Sequence, residues 1–338
     1  MIMIVLGIET SCDETAVALV DNTRAIRAGR LLSQLDEHRL YGGVVPEIAA
    51  RAHLDHLDTL IEKALADSGL SLEEVDGIAA TCGPGLIGGV MVGAMMGKAL
   101  ALASNKPFLA VNHLEAHALT ARLTHDIAFP YLLLLISGGH CQLLAVEGVG
   151  KYKIYGTTRD DAVGEAFDKC AKLLGLGFPG GPNMEKAAVN GNAARFELPQ
   201  PLKGNKGCDF SFSGIKTAAR LLAEKHAPLK PQDISDIAAT FQETVFSSLM
   251  ERTENAIRLF KNEYKGTHLV AAGGVASNQR LKAMLEKLAE KFGLQLAVPP
   301  PRLCTDNAAM VAWAGLEKLR LGMVDGLDAA PRPRWPLA

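Results

Sequence analysis

Ile4-Val5-Leu6-Gly7-Ile8-Glu9-Thr10-Ser11-Cys12-Asp13-Glu14-Thr15-Ala16-Val17-Ala18-Leu19-Val20 is the stretch from which the fold class can be read. Ile4 to Ile8 is an apolar run rich in branched residues, a polar turn follows, and Thr15 to Val20 is strand-like again. That pattern is a β-hairpin opening an α/β domain. Outward from it, a helix is expected from Pro46 to Ser68 with Gly69 as its stop signal. A strand over Asp76 to Thr81, a Gly83-Pro84-Gly85 turn, an apolar helix, a strand over Phe108 to Val111 and a helix over His113 to Leu123 follow. The pattern then restarts after Pro130, with an apolar strand Tyr131 to Ile136, a turn Ser137-Gly138-Gly139-His140 and a strand Gln142 to Val146. A strand, a small polar turn and a second strand thus occur twice, an internal repeat of pattern rather than of identity. Further helices are expected over Asp160 to Leu174, Gly214 to Lys225, Ile234 to Glu263, Gln279 to Phe292 and Asn307 to Leu321, with a last buried strand at His268 to Ala272. Gly175 to Pro182 reads as a loop, and Asn190 to Ser213 as irregular surface. The alternation argues for mixed sheets covered by helices.

At 338 residues, with 48% hydrophobic and 5% aromatic residues, the chain suits two aliphatic α/β halves. Its net charge of −2 excludes an unaided grip on a phosphate backbone, so any RNA contact must come from local patches or from a partner. Lys203, Lys206, Lys216, Arg220, Lys225, Lys230, Arg332 and Arg334 are either such patches or a solvated face. None of the six cysteines is paired at C-x-x-C spacing, which argues against a cysteine zinc site and for reduced thiols in cytoplasm. The N-terminus lacks the basic region of a signal peptide. Leu86 to Ala103 is apolar except for Lys98, and Gly85, Gly89, Gly93 and Gly97 form one stripe along it. Following a strand and a turn, it reads as a buried helix of a globular domain, not a membrane span.

Four constellations carry chemistry. In the first turn, Glu9, Asp13 and Glu14 bring acids that would hold a cation or orient a nucleophile, among small hydroxylated residues suited to phosphate; an ordinary polar hairpin has the same composition. Ser137-Gly138-Gly139-His140 and Ala272-Gly273-Gly274-Val275-Ala276-Ser277-Asn278 each end a buried strand with glycines that let a ligand approach the main chain. His113-Leu114-Glu115-Ala116-His117 puts two imidazoles on one helix face at metal-ligand spacing. Glu115 lies two residues from each, toward the opposite face, so the zinc-protease arrangement is absent. Asp306, before the final helix, reads either as a third ligand or as a helix N-cap.

Together these residues resemble one family, the tRNA threonylcarbamoyladenosine transferases of the bacterial TsaD type. The resemblance rests on Gly7-Ile8-Glu9-Thr10-Ser11-Cys12-Asp13-Glu14-Thr15, Gly42-Gly43-Val44-Val45-Pro46-Glu47, Gly83-Pro84-Gly85-Leu86, the histidine pair and Ser137-Gly138-Gly139-His140. It continues through Gly164-Glu165-Ala166-Phe167-Asp168-Lys169, Pro179-Gly180-Gly181-Pro182, Asp209-Phe210-Ser211-Phe212-Ser213-Gly214, Ala272-Gly273-Gly274-Val275, Cys304-Thr305-Asp306-Asn307 and Arg332-Pro333-Arg334-Trp335-Pro336. It implies two related actin-like, ribonuclease-H-like halves with a nucleotide cleft, residues 1–129 with 307–338 and residues 130–306, the latter carrying a helical insertion at about 157–235. It implies transfer of threonylcarbamoyl from its adenylate to N6 of adenosine 37 in tRNAs reading codons that begin with adenine, releasing AMP.

By motif, the resemblance makes His113, His117 and Asp306 ligands of one divalent metal, Fe(2+) or Zn(2+), with Mg(2+) accompanying nucleotide. Leu135, Ile136, Ser137, Gly138, Gly139, Asp168, Gly181, Glu185 and Asn278 become the wall binding the adenylate, and Asp13 and Glu14 polar groups at the reacting end. It implies as partners tRNA, a degenerate paralogue and a small P-loop ATPase, without a membrane. Two positions depart from the pattern: Leu135 stands where archaeal and eukaryotic relatives place a metal-binding tyrosine, and Glu185 where a serine or aspartate is usual. Alternatives are a phosphotransferase of the same fold acting on a small acid or sugar, which needs no histidine pair, a metallopeptidase, and a non-enzymatic scaffold.

Overall fold

The computed structural model describes residues 2–39, 41 and 43–338, so Gly42 of the Gly42-Gly43 motif lies outside the described residues. The chain forms two compact units, Met1–Asp126 with Thr305–Ala338, and Ile127–Cys304.

In the first unit the expected hairpin is β1 (Ile4–Glu9) and β2 (Glu14–Asp21), antiparallel with Glu9 opposite Ala16. β3 (Ile26–Ser33), α1 (Leu35–Arg39), α2 (Pro46–Ser68), β4 (Gly77–Gly83), α3 (Ile87–Ser104), β5 (Phe108–Asn112) and α4 (His113–Thr124) follow. The sheet order is β3-β2-β1-β4-β5, with β4 and β5 parallel to β1. The second unit contains β6 (Tyr131–Ile136), β7 (Cys141–Gly148), β8 (Lys151–Thr157), α5 (Val163–Leu173), α6 (Gly180–Ala188), α7 (Ser213–Lys225), α8 (Pro231–Glu263), β9 (His268–Ala272), α9 (Gln279–Lys291), β10 (Gln295–Ala297) and α10 (Pro301–Cys304). Its order, β8-β7-β6-β9-β10, repeats the first sheet strand for strand, including the change from antiparallel to parallel pairing. The chain then returns to the first unit as α11 (Ala308–Arg320). Gly7 admits that helix: a Cβ there would lie 2.4 Å from Ala312 N and 2.5 Å from Ala308 O.

Several expectations need correction. β3 and β8 were not expected as strands; both are edge strands with mostly exposed residues and charged side chains, which blurs the alternation a half-buried strand displays. α6 occupies part of the expected Gly175 to Pro182 loop, because glycine and proline are tolerated in a first helical turn. α5 starts at Val163 rather than Asp160, whose carboxylate instead accepts from Phe212 N at 2.8 Å. α8 starts at Pro231, where Asp233 accepts from Lys230 N at 2.9 Å and fixes the first turn. α3 is not buried all round. Gly89, Gly93 and Gly97 pack inward, and a Cβ on Gly89 would meet Thr10 O at 2.2 Å, while Ile87, Met91, Met95 and Leu102 are exposed. Among the described residues it is the one helix long and apolar enough to cross a membrane by length and composition, yet its glycine face packs on β1 and β4.

Candidate active site

β5 ends at Asn112, whose side-chain oxygen accepts from Leu114 N at 2.8 Å and from Glu115 N at 3.4 Å. Its amide nitrogen donates to Trp335 O at 3.0 Å. This cap starts α4 at His113, so the four-residue spacing brings His113 and His117 onto one face, with ring centroids 4.8 Å apart. Asp306 joins them: its Oδ1 is 3.1 Å from His117 Nε2 and 3.4 Å from His113 Nε2. The N-cap reading of Asp306 falls to its neighbour. Asn307 caps α11, accepting from Met310 N at 3.0 Å, and leaves the Asp306 carboxylate to the histidines. Glu115 is not a member of this cluster.

Glu9, one of the three acids of the first turn, completes the arrangement through His113, a partner the sequence does not indicate. Its fully buried carboxylate accepts from Ser11 N and from Thr81 Oγ1, both at 2.6 Å, and its Oε2 lies 3.1 Å from His113 Nδ1. Ser11 Oγ also lies 3.1 Å from that nitrogen. A carboxylate at Nδ1 keeps a proton there and turns Nε2 toward Asp306, so the neutral ring would offer its Nε2 lone pair on that side, the outer-shell arrangement of metal-binding histidines.

Burial disfavours the His113 imidazolium, but the carboxylates of Asp306 and Glu9 outweigh it and hold His113 well above its ordinary value. Burial likewise opposes the charges on Asp306 and Glu9, yet the facing imidazoles keep Asp306 well below the usual carboxylate range and Glu9 below its ordinary value. Glu14 goes the other way: burial and the nearby Asp306, Asp13 and Glu9 push it up to about 10. The ligand atoms of His113, His117 and Asp306 all lie within 4.8 Å of one another. Two imidazole nitrogens and one carboxylate oxygen fit a divalent transition metal with positions left open. A bound cation would supply the positive charge that the buried Glu9 and the half-buried Asp306 now draw from the His113 proton. His117 Nδ1 is buried without a hydrogen-bond partner among the described residues, so none of these ties that ring elsewhere.

The second unit collects the other candidate residues. Leu135 and Ile136 are buried at the end of β6, and their turn packs on the start of α5 through Gly164 N to Ser137 O and Glu165 N to Gly138 O, each 3.2 Å. Space is open above Gly138, Gly139 and Gly181, where an added Cβ would meet nothing within 4 Å. Gly273, at φ 92°, lies against the same turn, since a Cβ there would be 2.4 Å from Ile136 O. Asp168 accepts from Gly180 N at 2.8 Å and so ties α5 to the start of α6. Glu185 accepts from Gln279 N at 2.9 Å. Asn278 caps α9 through Leu281 N at 3.0 Å and donates to Gln242 at 3.1 Å. The 137–139 turn thus adjoins Gly273 and the start of α5, while Asp168 holds the start of α6 and Glu185 and Asn278 hold the start of α9.

Comparison with known proteins gives the family. Residues 25–313 match the family model described as tRNA N6-adenosine threonylcarbamoyltransferase. The protein of that name from Paramagnetospirillum magneticum is 62% identical over 337 residues, covering 99% of this chain and 97% of the relative. The one from Rhodospirillum rubrum is 59% identical over 341 residues, covering 98% and 94%. Among solved structures, HypF of T. kodakarensis aligns with TM-score 0.61 at 15% identity, over 95% of this chain and 48% of that one. Component A of the (R)-2-hydroxyglutaryl-CoA dehydratase of Acidaminococcus fermentans gives 0.53 at 16%, over 94% and 99%. At such identities these two show the fold alone. The family match across most of the chain, and relatives of matching length, establish that this chain belongs to the TsaD family of tRNA N6-adenosine threonylcarbamoyltransferases.

Proposed function

We infer that this enzyme places a threonylcarbamoyl group on N6 of an adenosine in tRNA, taking it from threonylcarbamoyl-adenylate and releasing AMP. The observation that carries this reading is the convergence of His113, His117 and Asp306 in a chain of this family. An adenine N6 amine is a weak nucleophile, so the carbamoyl carbon must be polarised and the departing phosphate stabilised. A metal held by His113, His117 and Asp306, Fe(2+) or Zn(2+), would supply that charge stabilisation, typically worth several kcal/mol. Glu9 orients His113 for it.

The open glycine turns at 137–139 and 180–181 are suited to hold the adenylate against backbone, and thereby to aim its carbonyl. As the N6–carbon bond forms and the carbon–oxygen bond to phosphate breaks, one N6 proton must leave. Asp13 and Glu14 are the carboxyl groups we assign to the reacting end. Glu14, kept neutral by burial and neighbouring acids, is suited to donate a hydrogen bond there. The target is adenosine 37 of tRNAs reading codons that begin with adenine. The net charge of −2 supports a tRNA surface shared with partners, namely a degenerate paralogue and a small P-loop ATPase, in the cytoplasm. A phosphotransferase reading is not favoured, because phosphoryl transfer has no use for the histidine pair and the relatives carry the transferase name.

The test is incubation of purified enzyme with threonylcarbamoyl-adenylate and unmodified tRNA, with and without a chelator, followed by nucleoside analysis. Modified adenosine is expected only in the unchelated reaction. Its appearance at full yield in metal-stripped enzyme would defeat the assignment of the cluster.

A further inference from the structure

The turn joining β1 to β2 is held by three successive carbonyls, each taken by a different element. Leu86 N donates to Ser11 O at 2.8 Å, Gln34 N to Asp13 O at 3.0 Å, and between them Cys12 O lies 3.1 Å from His53 Nε2. His53 is the one side chain in that series and is fully buried on α2. A carbonyl only accepts, so the His53 proton sits on Nε2 and its Nδ1 is an acceptor, facing Thr15 Oγ1 at 2.7 Å and Gln34 Nε2 at 3.3 Å. The same logic fixes His38. Its Nδ1 accepts from Val45 N at 3.3 Å, so its Nε2 donates to Gln34 Oε1 at 3.2 Å. Every donor in the chain from Val45 through His38, Gln34 and His53 to Cys12 O is thereby directed. Gly89 leaves the room for it, since a Cβ there would lie 3.1 Å from His53 Nε2 and Cδ2. Burial pushes His53 below its ordinary value, which keeps the ring neutral as the chain requires.

We propose that His53 is a positioning residue for group transfer, setting through Cys12 O the turn from which Asp13 and Glu14 reach the reacting end. The proposal rests on the reading of those two carboxylates given above. The His53 ring hydrogen-bonds to Cys12 O, Thr15 Oγ1 and Gln34 Nε2, so its effect should fall on turnover rather than on binding.

The test uses full-length enzyme with its partners. Glutamine can bring an amide nitrogen to the place of Nε2, whereas asparagine reaches only the place of Nδ1. His53→Leu and His53→Asn are expected to lower kcat roughly 10- to 100-fold, the scale of a small misplacement, with KM for the adenylate and metal content unchanged. His53→Gln should recover most of the loss. Thr15→Val, which removes the hydroxyl facing Nδ1 while keeping the shape, should lower kcat several-fold, and it carries the test should His53→Leu fail to fold. Wild-type kcat in His53→Leu or Thr15→Val, a change confined to KM, or a glutamine variant as slow as leucine would overturn the proposal. Asp13→Asn and Glu14→Gln separate the two readings. Undiminished turnover in both defeats the assignment of the carboxylates, whereas loss there with a wild-type rate in His53→Leu defeats the positioning role alone.

Discussion

Replacing Glu9 by glutamine should weaken metal binding without emptying the site of any ligand. Three donors converge on the Glu9 carboxylate: Ser11 N on Oε1, and Thr81 Oγ1 and His113 Nδ1 on Oε2. A glutamine supplies one acceptor and one donor where two acceptors are needed. With its amide nitrogen in the Oε1 place it would face Ser11 N across 2.6 Å, leaving that N–H unsatisfied. A buried donor stranded in this way costs about 1–3 kcal/mol. With the nitrogen in the Oε2 place the Thr81 hydroxyl can rotate to accept, but His113 Nδ1 then has to accept as well. Its proton would move to Nε2, the nitrogen facing Asp306, and the lone pair a metal needs would be lost. Loss of such outer-shell support lowers metal affinity about 10- to 100-fold. By the usual conversion that is about 1.4–2.7 kcal/mol. Metal-free Glu9→Gln should therefore show this weakening in competition titrations against a chelator of known affinity. Nitrogen-15 spectra of the histidines, recorded at a pH where His113 is neutral, should report the moved proton. Wild-type affinity together with an unchanged tautomer would refute the reasoning.

His113→Ala and Asp306→Ala should each reduce nucleoside modification at least 100-fold while retaining the circular dichroism spectrum, because each removes a donor from the cluster. Stability of the metal-free enzyme should depend on pH in two opposed ways. His113 is raised above 6.5, so its contribution is complete below that value and fades as pH rises through the folded-state pKa. Asp306 and Glu9 are lowered from 3.8 and 4.5, so theirs are complete above those values and fade as pH falls. The melting temperature should peak between these ranges, and His113→Gln should flatten the alkaline side. Metal affinity should instead rise with pH over the range where His113 deprotonates, by at most about tenfold per unit, measured by titration at fixed ionic strength. Gly7→Ala should destabilise the protein by about 1–3 kcal/mol in urea unfolding, because its Cβ would strike the backbone of α11. It should weaken metal binding too, since Asp306 immediately precedes that helix.

Much of this was legible in local pattern. The β1–β2 hairpin, the recurrence after Pro130, and the pairing of His113 with His117 depend on periods of two and of 3.6 residues that any reader can count. Residues whose roles come from distant neighbours left no such trace. Glu9 meets His113 across 104 positions, and His53 meets Cys12 across 41, with nothing in either neighbourhood to announce the partner. Asp306 was ambiguous for the same reason. Only the structure shows that Asn307 takes the capping role and releases Asp306 to the histidines. The edge strands β3 and β8 escaped because their charged, exposed residues follow solvent rather than core.

The path of the chain has a consequence for biosynthesis. All of Ile127–Cys304 is inserted between the histidines and the carboxylate that joins them, so a ribosome finishes the entire second unit before Asp306 emerges. The early sheet, lacking α11 over Gly7, meanwhile presents an uncovered face. A cation held by these three side chains would thus be seated only after the second unit has been made, and a product truncated before Asp306 would carry two imidazoles without the carboxylate that faces them.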